Sequence, residues 1–274
     1  GGKVGMLGKI GTDTFGKLLT NTLRGAGIET KGLVAADDVF TTLAFVTLDA
    51  NGDREFAFAR KPGADTQLRF DELDLLLIDE TRVFHFGTLS LTGEPARTTT
   101  YRAVEYAKAH GKLVTYDPNL RKPLWNDLNE AKEQMLWGLR QADVVKISDE
   151  EVEFLFGLGV QDGAQYILDH YPVKLVFVTC GADGCWFQNC SASGHVDSLK
   201  GITVVDTTGA GDAFFAGAVI GQTYGKTMME SCEIGTRLAA SVITTGENVC
   251  PRYLPSEFGL DVSTVDDAQI ALEF

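Results

Sequence analysis

Basic residues are scarce in this chain: 24 Lys and Arg stand against 38 Asp and Glu, a formal net charge of −14 over 274 residues. Nucleic acid is therefore not an expected partner, because gripping a phosphate backbone needs a basic face. Any polyanion would be repelled by the mean field, so an anion site must rest on backbone N–H groups, a divalent cation and a few placed Arg or Lys. Long apolar runs are also missing. None approaches the roughly 18 residues of a spanning helix and nothing reads as a signal peptide, so no membrane partner is expected. The five cysteines (Cys180, Cys185, Cys190, Cys232, Cys250) are odd in number and show no Cys-x-x-Cys spacing. That speaks against a disulfide framework and a zinc site, and for a reducing, cytoplasmic location. Neither Gly-x-x-x-x-Gly-Lys-Ser/Thr, a protein-kinase signature set nor Gly-x-Gly-x-x-Gly after the first strand occurs, so a phosphate site of either common type is excluded.

What remains is an ordinary globular composition, 44% apolar, with enough length for one large α/β domain. Segment 4–7 reads as the end of a strand. Phe15, Leu18, Leu19, Leu23 and Ala26 then recur at helical spacing until Gly27. From residue 66 strands over 83–86, 112–116, 143–147 and 173–179 alternate with helical stripes over 95–110, 128–139 and 228–245. His85 lies inside an apolar strand and reads as a core or site-wall histidine. Residues 37–65 interrupt the alternation. Segment 39–48 is rich in Thr, Val and Phe, Asn51-Gly52 is a turn pair, and 55–60 alternates at period two, which together predict a β-hairpin.

The stretch Asp206-Thr207-Thr208-Gly209-Ala210-Gly211-Asp212-Ala213-Phe214-Phe215-Ala216-Gly217 carries the most chemistry. It reads as a strand end over 202–205, a turn that only small residues can follow, and a helix with Asp212 in its first turn. The unpaired N–H groups of a helix N-terminus favour an anion, and small residues let that backbone approach one. Asp212 is either a plain N-cap or a carboxylate placed to take a proton. The flanking glycines favour the second, and an oxyanion cradle beside a carboxylate fits phosphoryl transfer.

Three further loops follow strands. Asp117-Pro118-Asn119-Leu120-Arg121 leaves the carboxyl end of a strand, where open α/β sheets bind ligands; a turn held by Asp117 and Asn119 side chains is the alternative. Ser148-Asp149-Glu150-Glu151 reads as a helix N-terminus, with Ser148 as N-cap and Glu151 completing a capping box. Thr179-Cys180-Gly181-Ala182-Asp183-Gly184 is a glycine turn able to approach a nucleotide or simply to close a hairpin.

The 206–217 string resembles the C-terminal signature of the ribokinase (PfkB) family of sugar kinases, and Gly8-Lys9-Ile10-Gly11-x-Asp13-x-Phe15-Gly16 resembles its N-terminal signature. The resemblance implies a ribokinase-like three-layer α/β/α sandwich with a small β-sheet lid. The catalytic domain would be 1–36 and 66–274, without the first strand that precedes the signature in relatives, and the lid 37–65. It implies Asp212 as general base, with Gly209, Ala210 and Gly211 amides and Arg121 stabilising charge. Ser148, Thr179, Gly181, Gly184 and Gly211 would line an ATP site, with Mg²⁺ held through water by Glu151. Asp206 and Thr208 would form half of a K⁺ site. The segments 58–65 and 117–125 resemble those of fructokinases, with Phe58, Arg60 and Asn119 touching the sugar. The implied activity is transfer from ATP to fructose, with a homodimer through the lid. Alternatives are a kinase for 2-keto-3-deoxygluconate or another hexose, and a kinase-like binding protein without catalysis.

Overall fold

A computed structural model of the chain describes residues 2–48, 54–245 and 255–260. They fall into two units, Lys3–Asp143 and, with Gly2, the residues from Val144 onward.

In the first unit, β1 (Gly8–Gly11) pairs in parallel with β2 (Leu33–Ala36) across α1 (Thr14–Gly25). The Gly-Lys-Ile-Gly string is thus itself the strand, and the expected strand at 4–7 is reduced to an isolated bridge between Gly5 and Glu29. Lys9 secures β1: its Nζ donates to Glu72 at 2.5 Å and to the Gln67 carbonyl at 3.2 Å. Burial pushes the Glu72 carboxyl up, but the Lys9 hydrogen bond, the Arg69 N–H and the Lys9 charge outweigh it and hold the group below its ordinary value. Helix α1 ends as expected, with Gly27 at φ 78°. Its stripe does not meet a core: Phe15, Leu18 and Leu19 are exposed, and the residue that packs inward is Gly16.

The expected hairpin forms as β3 (Leu43–Leu48) and β4 (Arg54–Ala59), antiparallel, with Leu43 opposite Ala59. Its Asn51-Gly52 turn lies outside the described residues. After the short α2 (Leu75–Asp79), β5 (Val83–Gly87) and β6 (Leu113–Asp117) pair in parallel around α3 (Ala96–Ala109), and α4 (Leu128–Leu139) follows. Ile78, Ala103 and Ala107 share one buried cluster, while Phe86 stacks on Tyr116 at 4.7 Å. His85 is exposed, not a core residue, because alternation along β5 puts it on the face opposite Phe86; its Nδ1 meets Thr115 Oγ1 at 3.0 Å.

In the second unit the sheet order is β10-β9-β8-β7. Parallel strands β7 (Val144–Ser148) and β8 (Leu175–Thr179) are joined through α5 (Asp149–Phe156) and α6 (Val160–His170). They are buried along their length, as parallel strands covered on both faces should be. β9 (Cys185–Asn189) and β10 (Ser193–Val196) continue antiparallel. Segment 202–205 is not a strand. Val204 and Val205 are exposed, and the Val205 N–H donates instead to the Ile243 carbonyl at 2.8 Å. Helices α7 (Ala210–Thr223) and α8 (Met228–Ile243) then pack closely. A Cβ on Gly217 would lie 2.7 Å from Leu238 Cδ1, and one on Gly235 2.5 Å from the Phe214 carbonyl oxygen, so the small residues set the interhelical distance.

Candidate active site

Helix α7 begins with Gly209, whose φ of 79° lies in the left-handed region that glycine reaches without strain. The preceding turn is closed by Asp206, whose Oδ1 accepts the Thr208 N–H at 2.9 Å. The Ala210 N–H donates to the Thr207 carbonyl at 3.2 Å, so this amide is engaged within the turn. Asp212 is the third residue of the helix, exposed, and is not its N-cap; that position belongs to Gly209. A carboxylate one turn past a glycine cap is left facing solvent, where a substrate can meet it.

Lys146 lies beside this turn, a contact that the sequence pattern does not reveal. It lies in β7, is only 6% exposed, and its Nζ is 3.1 Å from where a Cβ on Gly211 would sit. A buried ammonium therefore lies against the backbone of the anion turn. The available signal was a lysine inside the apolar run Val144-Val145-Lys146-Ile147, since lysine is almost never fully buried without a task.

The carboxyl ends of β7 and β8 bring Ser148 and Thr179 side by side as register partners. Ser148 caps α5: its Oγ accepts the Glu151 N–H at 3.2 Å, and Glu151 Oε2 accepts the Ser148 N–H at 2.9 Å. The capping box is thus formed, with the Glu151 carboxylate buried at the strand end. After Thr179 the chain turns through Gly181 (φ 54°) and Gly184 (φ 94°) into β9. At Gly184 a Cβ would come within 2.9 Å of Ser198 N. Cys180 in this turn is pushed up to about 11, chiefly by burial and then by the charge of Asp149.

In the first unit, the strand end of β6 carries the second set. Asp117 is buried and its Oδ1 accepts the Asn119 N–H at 3.1 Å, so the turn expected as the alternative is present. It holds Asn119 at φ 47°, a conformation that asparagine tolerates better than most residues. Arg121 Nη1 donates to the Leu120 carbonyl at 3.3 Å, and the guanidinium is half-buried. Strand β4, which carries half-buried Phe58, lies against the 122–124 turn that follows. The Arg60 side chain is 7% exposed. Its Nε donates to Asp65 Oδ2, its Nη1 to Thr92 Oγ1 and its Nη2 to the Leu89 carbonyl, each at 2.7 Å. Most of its donors are therefore committed to the protein.

These residues fit a bound nucleotide. The turn at 209–212 presents helix N-terminal amides, and the space over Gly211 is one that a Cβ would fill. Among the described residues no group of three or more His, Cys, Asp or Glu could hold a metal by itself. The buried Glu151 carboxylate would suit a hydrated Mg²⁺ that takes its other ligands from phosphate. Residues 246–254, where the rest of a K⁺ site would fall, lie outside the described residues.

Parallel strands ending in glycine turns and a glycine-capped helix with an exposed carboxylate define an α/β protein built to hold a phosphate-bearing ligand. The chain belongs to the pfkB family of carbohydrate kinases, whose model matches residues 1–249. It is 42% identical over 266 residues to fructokinase-1 of Zea mays, covering 94% of this chain and 81% of that one. To the probable fructokinase-2 of Arabidopsis thaliana it is 44% identical over 223 residues, covering 81% and 67%. The fructokinase of Xylella fastidiosa, solved with bound ATP, superposes with a TM-score of 0.80 at 29% identity over 89% of this chain and 80% of that chain. The fructokinase of Vibrio cholerae O395, solved with fructose, ADP and calcium ion, gives 0.79 at 28% identity over 89% and 80%. The chain spans from 57% to 81% of the length of the curated relatives it matches. The expected ribokinase-like α/β fold is the fold found.

Proposed function

We propose that the chain is an ATP-dependent fructokinase that converts D-fructose to fructose 6-phosphate. The observation that carries the reading is Asp212, exposed in the first turn of α7 behind the left-handed Gly209, in a chain whose relatives are named fructokinase. Asp212 accepts the proton of the sugar's primary hydroxyl as that oxygen forms a bond to the γ-phosphorus, and the bond from γ-phosphorus to the bridging oxygen of ADP breaks. Amides of Gly209 and Gly211, with the Lys146 ammonium, hold the charge on the transferring group, and Ala210, its N–H bonded to the Thr207 carbonyl, shapes the turn. Glu151 would steady, through water, the Mg²⁺ that accompanies ATP, and that ion would supply further charge neutralisation. Ser148, Thr179, Gly181 and Gly184 line the nucleotide side. Phe58, Asn119 and Arg121 face the sugar, and Arg60 sets the geometry of that side. A K⁺ ion on Asp206 and Thr208 is part of the same reading.

Residues 37–65 act as a lid whose closure excludes water, which otherwise competes for the γ-phosphate. Exposed Phe40, Phe45 and Val46 support a homodimer formed through that hairpin. Four described cysteines are free thiols, which supports a cytoplasmic location. No described helix is long and apolar enough to cross a membrane.

The test is ADP release across a sugar panel with Mg²⁺, with and without K⁺. Fructose should be preferred over other hexoses and 2-keto-3-deoxygluconate; preference for an acid sugar overturns the acceptor, and no turnover with any sugar overturns catalysis. Asp212→Asn should lower kcat by about 10²- to 10⁴-fold while ATP still binds. Near-normal turnover would remove Asp212 as the base.

A further inference from the structure

Gly11, Asp13 and Gly16 of the 8–16 string make their contacts within the first unit. They meet the first leg of the hairpin. Asp13 Oδ1 accepts the Phe15 and Gly16 N–H groups at 2.9 and 3.0 Å, capping α1, while its Oδ2 accepts the Thr41 N–H at 2.8 Å. Thr41 Oγ1 in turn accepts the Gly11 N–H at 3.0 Å. The start of α1 and the residue two before β3 therefore meet on one carboxylate, and the end of β1 joins them through the Thr41 hydroxyl. Glycines are required on either side. A Cβ on Gly11 would lie 2.7 Å from the Val39 carbonyl oxygen and 2.9 Å from Thr41 N, and one on Gly16 would collide with the Gly11 carbonyl.

A second carboxylate closes the joint. Asp65 Oδ1 accepts the Thr42 hydroxyl, immediately before β3, and Asp65 Oδ2 accepts Arg60 Nε and pairs with its Nη2, immediately after β4. Both legs of the hairpin are thus tied to one side chain. Arg60 carries the tie onward to Thr92 and the Leu89 carbonyl, in and beside the 3₁₀ turn Thr88–Leu91 that follows β5. The Ala64 N–H donates to the Phe40 carbonyl at 2.8 Å and closes the backbone of the same joint.

We infer that Asp13 and Asp65, with Arg60 as strut, are positioning residues of the sugar kinase reaction: a two-carboxylate mount that fixes where the hairpin over 43–59 stands relative to the β5 and β6 ends. The inference rests on the fructokinase reading for its kinetic consequence, and on geometry alone for the mount. An ion-paired fork of this kind fixes direction as well as distance, because the guanidinium is planar and offers its donors in a set pattern. Asp65 is reached by both legs, so its loss frees the hairpin without removing any group assigned to phosphate.

The test is hydrogen exchange by mass spectrometry on the full chain and on Asp65→Asn and Arg60→Lys, with steady-state kinetics on the same samples. In both variants, peptides covering 43–48 and 54–59 should exchange about 10-fold faster while those of α3 and α4 stay unchanged. The KM for fructose should rise by about 5-fold or more with the KM for ATP within about twofold, a split that general destabilisation does not produce. Unchanged exchange in the hairpin, or faster exchange everywhere in step, overturns the mount. Asp13→Asn tests the first leg alone and should loosen 43–48 more than 54–59; equal loosening of both strands overturns the separate anchoring of that leg. If the unmodified chain phosphorylates no sugar, the fructokinase reading fails, while the exchange data still decide the mount.

Discussion

The ammonium of Lys146 sits against the backbone of Gly211, 3.1 Å from where that residue's Cβ would be. The two residues are far apart in sequence, one inside a buried strand and the other in the first turn of α7. The contact gives the anion turn a fixed positive charge in a part of the protein shielded from water, where charge acts more strongly than at the surface. In a chain of net charge −14, such a local cation counters the mean repulsion of a nucleotide.

Lys146→Met keeps the length of the side chain and removes the charge. The expected result is a kcat lower by about 10²-fold with little change in the KM for fructose, because the lost interaction is with charge on the transferring phosphoryl group. Thermal unfolding on the same sample separates a lost charge from a lost fold, since removing one member of a buried polar contact is destabilising. An unchanged kcat measured at saturating ATP and fructose would take Lys146 out of the site.

The contact between α7 and α8 makes a separate prediction about stability. Gly235 faces the Phe214 carbonyl and ring, so Gly235→Ala must push the helices apart and should destabilise the chain by about 1–3 kcal/mol in urea unfolding. Gly25→Ala is the contrast. Gly25 ends α1 with nothing near its missing Cβ, and the substitution should be neutral or stabilising by about 0.5–1 kcal/mol. Equal effects at the two positions would contradict the close approach.

Strands β3 to β8 and Asp212's place in a helix are legible because they depend on neighbours in sequence, an unbroken apolar run for β8 and a glycine before a helix for α7, whereas β2, β9 and β10 show no such run. Lys146 was hidden because its partner is distant in the chain, and periodicity carries no information on long-range contacts. Arg60 could be seen as a significant arginine, but not that its donors go to Asp65, Thr92 and Leu89. Segment 202–205 was misread for the opposite reason. Its β-branched residues satisfy a strand pattern locally, while Val204 and Val205 lie at the surface and Val205 is bonded to the end of α8. The α1 stripe shows the same limit, since helical spacing predicts a helix but not that a core will meet its apolar face.

Asp13 should leave a pH signature. The Thr41 N–H, more than any other group, holds its carboxyl below the ordinary value of 3.8; burial opposes, and the Gly16 N–H, the Thr41 side chain and the Phe15 N–H add to the lowering. A carboxyl with a depressed folded value contributes stability that is complete above its unfolded value and is lost as pH falls through the folded one. The gap in urea midpoint between the unmodified chain and Asp13→Asn should therefore stay constant from about pH 7 to about pH 5 and shrink progressively below 3.8. A gap that widens in acid would mean that the carboxyl is not held by these donors.

The thiols separate by environment. Cys180 is pushed up to about 11, first by burial and then by Asp149, and Cys185 well above the ordinary thiol range by burial and its hydrogen bond with Cys232. The thiolate is the nucleophile, and a thiol near 11 is only about one part in a thousand ionised at about pH 8. Cys232 is buried as fully as Cys185, whereas Cys190 is exposed. Iodoacetamide at that pH should thus label Cys190 in the native chain and leave Cys180, Cys185 and Cys232 unlabelled until denaturant is added, as read by peptide mass spectrometry. Labelling of Cys185 or Cys232 as fast as Cys190 would show that the packing of α8 on β9 opens readily, and with it the support beneath the α7 anion turn.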